Sequence, residues 1–302
     1  MEDYTSISLQ NIELELTSAE WEKRLDAALE KNFTPTPEQV ERGLTDINEE
    51  VRSAWVDRED IHLTPKQIER CLRDDHYLVR MHLAFRKDWT PTPEQVERGL
   101  SDKTSDVRLA WAQRKDFTPT PKQIERGLRD KDEDVRQMWA ERMDFTPTPE
   151  QVERGLTDVA NCVKVSWARR TDYTPTPEQI ERGVLDENAR VRQMWAERTD
   201  FTPTPEQVER GLTDDYAWVR EIWAKRMDFT PTPKQAKRGV YDEENSVVLA
   251  WLKRTDVEWS DDILQEGLQH YDPDIRAAWE QVVQRRNAIS VETSESMSIL
   301  NL

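Results

Sequence analysis

FTPTPEQVERGLTD, residues 33–46, returns letter for letter at 145–158 and again at 201–214. So proline-rich a segment reads either as an extended ligand or as one tooth of a structural repeat. The second reading holds, because related segments begin at Phe33, Ile61, Trp89, Phe117, Phe145, Tyr173, Phe201 and Phe229, always 28 residues apart. A degenerate ninth copy begins at Val257. All 8 glycines occupy the eleventh position of a copy, and only Pro273 among the 16 prolines lies outside the Thr-Pro element. Periods of this length mark solenoids, propellers or arrays.

Each copy reads as two short helices. In copy one, Thr36 offers an N-cap hydroxyl, Pro37 sits at the first helical position, and Gln39 completes a capping box. Val40 and Leu44, four apart, form the buried side of this first helix. Asp46, at position fourteen, is placed to start a second helix, on which Val51, Ala54 and Trp55 share one apolar face. No segment alternates with period two, so strands are not expected. Glycine at position eleven either ends the first helix or admits a neighbouring helix closely; Cys71 replaces it in copy two, which favours close approach.

A two-helix copy this short cannot bury both faces alone, so stacked neighbours must close the core. The expected spine is the tryptophan column at 55, 111, 139, 167, 195, 223, 251 and 279, with Leu83 in copy two. The fold class expected is therefore an all-α superhelical solenoid of about nine two-helix copies. Residues 1–32 are an N-terminal segment with a cap helix over 17–32, and 33–256 hold eight regular copies. Residues 257–284 form a capping copy, and 285–302 a polar tail, loose beyond Arg286, whose MSILNL end could dock on the last helix.

The shared core, VRxxWAxR followed by TPEQVERGLxD, resembles the leucine-rich repeat variant family and, more distantly, HEAT-type repeats. In copy four the matching residues are Val135, Arg136, Trp139 and Ala140, with Pro121, Ile124 and Asp130. The resemblance covers residues 33–284 and implies helices alternating with short or 3₁₀ helices. Two departures stand out: each copy is about four residues longer than the family's, and glycine stands where that family usually has leucine. The family's founding type also carries a cysteine cluster for iron–sulfur binding. Nothing here matches it, so no cofactor is expected.

Hydrophobic residues make up 36% of the 302-residue chain and charged ones 34%, which suits a thin structure with much surface. Twelve tryptophans argue against disorder. The opening residues lack a signal-peptide pattern, no stretch approaches a membrane span, and the two cysteines, Cys71 and Cys162, suit a reducing cytoplasm.

The net charge of −18 is not spread evenly. Fixed columns balance at 23 acids against 23 bases: Asp at fourteen and twenty-eight with Glu at nine, against basic residues at ten, twenty and twenty-six. Residues 1–32 contribute −5, the ninth copy −6, and positions fifteen to eighteen of copies one to eight −8. Acidity thus lies at both ends and along one loop edge, which disfavours direct nucleic-acid binding unless the arginine columns form an open stripe. It admits mimicry of a phosphate backbone, beside plain solubility.

No catalytic motif is present, and neither an enzyme, a small-molecule substrate nor a metal is expected; Cys71, His76 and His82 match no ligand spacing. The informative variation lies at positions fifteen to eighteen, with position twenty-five also variable. It places Tyr77, Leu78, Tyr216, Trp218 and Phe85 where exposed anchors would sit, with the acids Glu49, Glu50, Asp132, Glu133, Asp134, Glu243 and Glu244. A constant scaffold with one variable edge is expected to bind a macromolecule, most simply a protein, through that loop edge or the concave face.

Overall fold

A computed structural model describes residues 9–300, with side chains over 12–288. The chain forms two compact units, 1–146 and 147–302. The N-terminal unit holds α1 (Leu9–Leu16), α2 (Trp21–Leu29), α3 (Pro37–Gly43), α4 (Glu49–Asp57), α5 (Pro65–Leu72), α6 (Tyr77–Phe85), α7 (Pro93–Leu100), α8 (Ser105–Gln113), α9 (Pro121–Gly127) and α10 (Glu133–Glu141). The C-terminal unit holds α11 (Pro149–Leu156), α12 (Asn161–Arg169), α13 (Pro177–Val184), α14 (Ala189–Glu197), α15 (Pro205–Leu212), α16 (Ala217–Lys225), α17 (Pro233–Val240), α18 (Asn245–Lys253), α19 (Asp261–Gly267) and α20 (Pro273–Leu300). No strand occurs among the described residues. The fold class is all-α, built from two-helix copies repeating every 28 residues.

First helices begin as the Thr-Pro-Glu-Gln chemistry requires. In copy one the Thr36 hydroxyl accepts from Gln39 N–H, and Gln39 Oε1 accepts from Thr36 N–H at 2.8 Å. Gln39 has a second task, because its Nε2 donates to Glu13 Oε2 of the preceding copy at 2.7 Å. The pattern recurs where Gln67 reaches Glu41 and Gln235 reaches Glu209. Capping and stacking are thus joined in one side chain.

Second helices do not start where the sequence suggests. Asn48 and Asp132, at position sixteen, are the caps that accept from the first-turn amides. Asp46 instead accepts from Asn48 N–H and receives the Arg24 guanidinium, whose Nε and Nη2 lie 2.6 and 2.8 Å from its two oxygens. The same fork joins Arg52 to Asp74, Arg80 to Asp102 and Arg192 to Asp214. An aspartate drawn toward the next-lower arginine cannot also fold back over its own helix.

The tryptophan column is the core: Trp55, Trp111, Trp139, Trp167, Trp195, Trp223 and Trp251 are all essentially inaccessible to solvent. Glycine at position eleven is explained by it. A Cβ on Gly211 would lie 2.2 Å from Trp223 Nε1, and no glycine has a positive φ. Close approach is therefore the reason, not a turn. Copy two trades both partners, with Cys71 in the glycine place and Leu83 in the tryptophan place, both buried. Burial pushes the Cys71 thiol up to about 12, so it is no thiolate at neutral pH.

Arginine at position twenty-six holds successive copies together. Arg114 Nη1 donates to the carbonyls of Ala84 and Arg86, at 2.8 and 2.7 Å, closing the C-terminus of α6. Its Nη2 donates to Trp89 O, and its Nε lies 2.9 Å from Asp116 Oδ1. The guanidinium carbon sits 4.9 Å from the Trp89 ring centre and 5.4 Å from that of Trp111. Free C-terminal carbonyls of one helix are thereby satisfied by the next copy.

Both ends depart from expectation. In place of a single cap helix over 17–32, α1 and α2 occupy positions five to twenty-five of a further copy in register with the rest. Glu13 takes the place of Glu41, accepting from Gln39 and Arg42, and Arg24 that of Arg52. Glu15 stands at the glycine place and Ala27 at the tryptophan place, the same exchange of bulk as in copy two. The stretch LTSAEWEKRL at 16–25 looks like the first-helix stretch LTPKQIERCL at 63–72, yet it stands nine residues further along its copy and leads into α2. At the other end, the expected loose tail is helical, as α20 runs to Leu300 without a glycine or an internal proline to stop it. Arg285 Nη2 donates to Leu252 O and so closes α18. The expected docking of MSILNL falls on side chains outside the described residues.

Acid sensitivity follows from the Glu ladder. Arg98, with Arg73, holds the Glu69 carboxyl at about 2, and Arg238 with Gln235 does the same for Glu209. A carboxyl depressed in the fold from an ordinary value near ~4.3 contributes stability above that value and loses it as pH falls toward the folded value. Unfolding midpoints are therefore expected to hold above about pH 5 and fall between roughly 4.3 and 2. Carbon-detected carboxyl titration checks this directly; a Glu69 that titrates near its ordinary value would remove the ladder from the account.

Candidate partner-binding face

Second helices pack on second helices within each unit, and positions nineteen, twenty-three and twenty-four face inward. Positions seventeen, eighteen, twenty-one and twenty-five are left on the outer side, half-buried or exposed except for Ser53 of α4, which is buried. In α6 these are Tyr77, Leu78, Met81 and Phe85; the first three are half-buried and Phe85 is 46% exposed.

The residues singled out from sequence fall into separate groups. Tyr77, Leu78 and Phe85 share α6 in the N-terminal unit. Tyr216 and Trp218 lie at the start of α16 in the C-terminal unit, 45% and 46% exposed, with ring centres 4.6 Å apart. Arg192 lies against the Tyr216 ring at 5.7 Å. Glu49 and Glu50 occupy the first turn of α4, and Glu133 and Asp134 that of α10. Glu243 and Glu244 precede α18, where Glu243 stands 3.7 Å from Arg220. Asp132 is different in kind, since its carboxylate is spent on the amides of Asp134 and Val135. It is a helix cap rather than a contact residue.

Position twenty-one escaped the sequence reading. Met81 and Leu109 stand there, half-buried, beside the residues at eighteen and twenty-five. Helical spacing of three and four from those variable positions was the signal that could have found them.

The histidines of copy two face carboxylates. His82 Nδ1 lies 3.1 Å from Asp57 Oδ1 and His76 Nε2 lies 3.8 Å from Glu49, whereas Cys71 is enclosed in the core. No cluster of three or more potential metal ligands occurs among the described residues. No described helix is long and apolar enough to cross a membrane.

The arginine columns differ in availability. Those at twenty-six are buried, and those at twenty are forked onto aspartates. Among the described residues the column at ten is the more exposed one, and most of its arginines pair with a glutamate of the preceding copy, as Arg42 with Glu13, Arg98 with Glu69 and Arg238 with Glu209.

No family model matches this chain, and no curated protein is similar to it. Among solved structures it is similar to one described as a leucine-rich repeat variant with a novel repetitive protein structural motif. The two are 20% identical, the match covers 92% of this chain and 88% of the other, and the TM-score is 0.40. The fold class here rests on the helices themselves.

Proposed function

We propose that the chain is a non-enzymatic repeat scaffold that binds a protein through the outer side and leading edge of its second helices. One observation supports this above the rest: Phe85, Tyr216 and Trp218 are large, nearly half-exposed, and stand at positions that vary while the scaffold around them stays constant. Exposed aromatics at such positions serve as anchors in protein interfaces. Direct nucleic-acid binding is disfavoured, because two of three arginine columns are engaged internally. A second reading, an acidic decoy for a nucleic-acid-binding protein such as a defence or restriction enzyme, draws support from the carboxylates at the starts of α4, α10 and α18.

Affinity capture from the native host, with the wild-type chain and with Tyr216→Ala/Trp218→Ala and Phe85→Ala, tests the reading. At least one variant is expected to weaken capture by about 10-fold or more, as loss of an anchor does. Capture indifferent to both would remove this face as the interface. Binding that survives moderate salt favours the protein interface, whereas binding that collapses with salt and competes with DNA or RNA favours the decoy.

A further inference from the structure

The two units differ sharply in the charge of their outer second-helix positions. At seventeen, eighteen, twenty-one and twenty-five of α2, α4, α6, α8 and α10, every Asp, Glu, Lys or Arg present is a carboxylate. Glu50, Asp57, Asp106, Asp134 and Glu141 are among them, all exposed. In the C-terminal unit the same positions carry Arg169, Arg190, Lys225 and Lys253 against Glu197, Glu221 and Asp274. Solubility alone gives no reason for basic residues to be missing from one unit's helix faces and present on the other's.

Within this acidic field α6 carries an apolar strip. Leu78, Met81 and Phe85 stand three and then four residues apart, on one side of the helix, and Leu109 repeats the Met81 position on α8. Internal packing accounts for copy two's other oddities, since Cys71 and Leu83 exchange bulk across the core. It does not account for the strip, which points away from that exchange. Adjacent helices pack about 8–10 Å apart, so carboxylates of α4 and α8 flank the strip at about one helix spacing.

We infer that this face of the N-terminal unit takes a cationic amphipathic helix of a partner protein, its apolar side on Leu78, Met81 and Phe85 and its lysines or arginines against the carboxylates of α4 and α8. The inference rests on the protein-binding reading and names the partner's chemistry. A helix about 10–12 Å across fits between such flanks, and apolar residues at helical spacing are how grooves of this kind are read. Nucleic acid and anionic membrane surfaces would both be repelled by the field. The carboxylates raise the rate of encounter with a basic segment, and the strip sets its register.

The probe is a fluorescein-labelled 18-residue peptide with leucine and lysine at amphipathic helical spacing, titrated into the full chain at moderate salt, beside oligolysine of equal charge. Leu78→Glu/Phe85→Glu is expected to weaken peptide binding by 10-fold or more although it adds two negative charges; attraction by charge alone would tighten it. Leu78→Ala/Phe85→Ala, milder for folding, is expected to weaken it in the same direction. Glu50→Lys/Asp57→Lys is also expected to weaken it, and Met227→Ala, at an exposed position of the C-terminal unit, to leave it unchanged. Absence of binding, equal binding of oligolysine, or tighter binding by the glutamate pair would overturn the inference. A captured host protein released by Tyr216→Ala/Trp218→Ala but not by the α6 pairs would overturn it too, while leaving the scaffold reading standing.

Discussion

Gly211→Ala is expected to destabilise the chain by about 2–3 kcal/mol, the upper part of the span for overpacking a close-packed core. The added Cβ would fall 2.2–2.3 Å from three atoms of the Trp223 indole, which is buried on all sides and has nowhere to move. Trp223→Leu is expected to cost about 2–4 kcal/mol through the cavity it leaves. The informative variant is Gly211→Cys with Trp223→Leu, the pair that copy two already uses as Cys71 and Leu83. Cysteine refills part of the space that leucine vacates, so the double variant is expected to cost at least about 1 kcal/mol less than the two singles together. Urea unfolding followed by circular dichroism gives the midpoints. Amide exchange in α15 and α16 reports the local loss, because a repeat array need not unfold in one step. A coupling energy near zero would mean that the Gly–Trp contact is looser than described.

Arg114→Ala is expected to be as damaging, about 3–5 kcal/mol, because it breaks a buried charged network from one side. Asp116 would lose its partner, and the Ala84 and Arg86 carbonyls, closed by Nη1, would be left without a donor. The Trp89 and Trp111 rings, at 4.9 and 5.4 Å from the guanidinium, would lose their stacking partner. Arg114→Lys is expected to recover only a minority of the loss, since an ammonium cannot fork to two carbonyls and a carboxylate at once. Exchange protection should fall first at the end of α6, the helix that Arg114 closes. A protein whose α6 amides are unaffected would show that the carbonyls are capped in another way.

Much of this was legible because the chain repeats itself. Thr36, Pro37 and Gln39 specify a helix start by local chemistry that needs no distant partner, and the capping boxes form as read. The tryptophan column was legible for the same reason, from its spacing to Val51 and its equivalents. The cap of the second helix was not, because Asp46 and Asn48 are both competent caps. Which one acts depends on where Arg24, twenty-two residues away, places its guanidinium. Nor was the N-terminal copy, whose Ala27 and Glu15 hide the tryptophan and glycine marks by which the others are recognised. Of the candidate face, the exposed aromatics were legible at the variable positions. Met81 and Leu109 were passed over, although their helical spacing of three and four from eighteen and twenty-five marked them; only the packed helices show their partial exposure.

By itself, then, the sequence determined the period, the two helices per copy, the capping of the first of them and the apolar column, all consequences of interactions within a few residues. Tertiary structure decided which charges are free. Arginines at ten, twenty and twenty-six look alike as letters, yet one column is half-exposed, one is forked onto the next copy, and one is buried between aromatic rings. The same holds for FTPTPEQVERGLTD: its glycine is set by an indole on the following helix, a steric fact that appears only when the two helices are brought into contact.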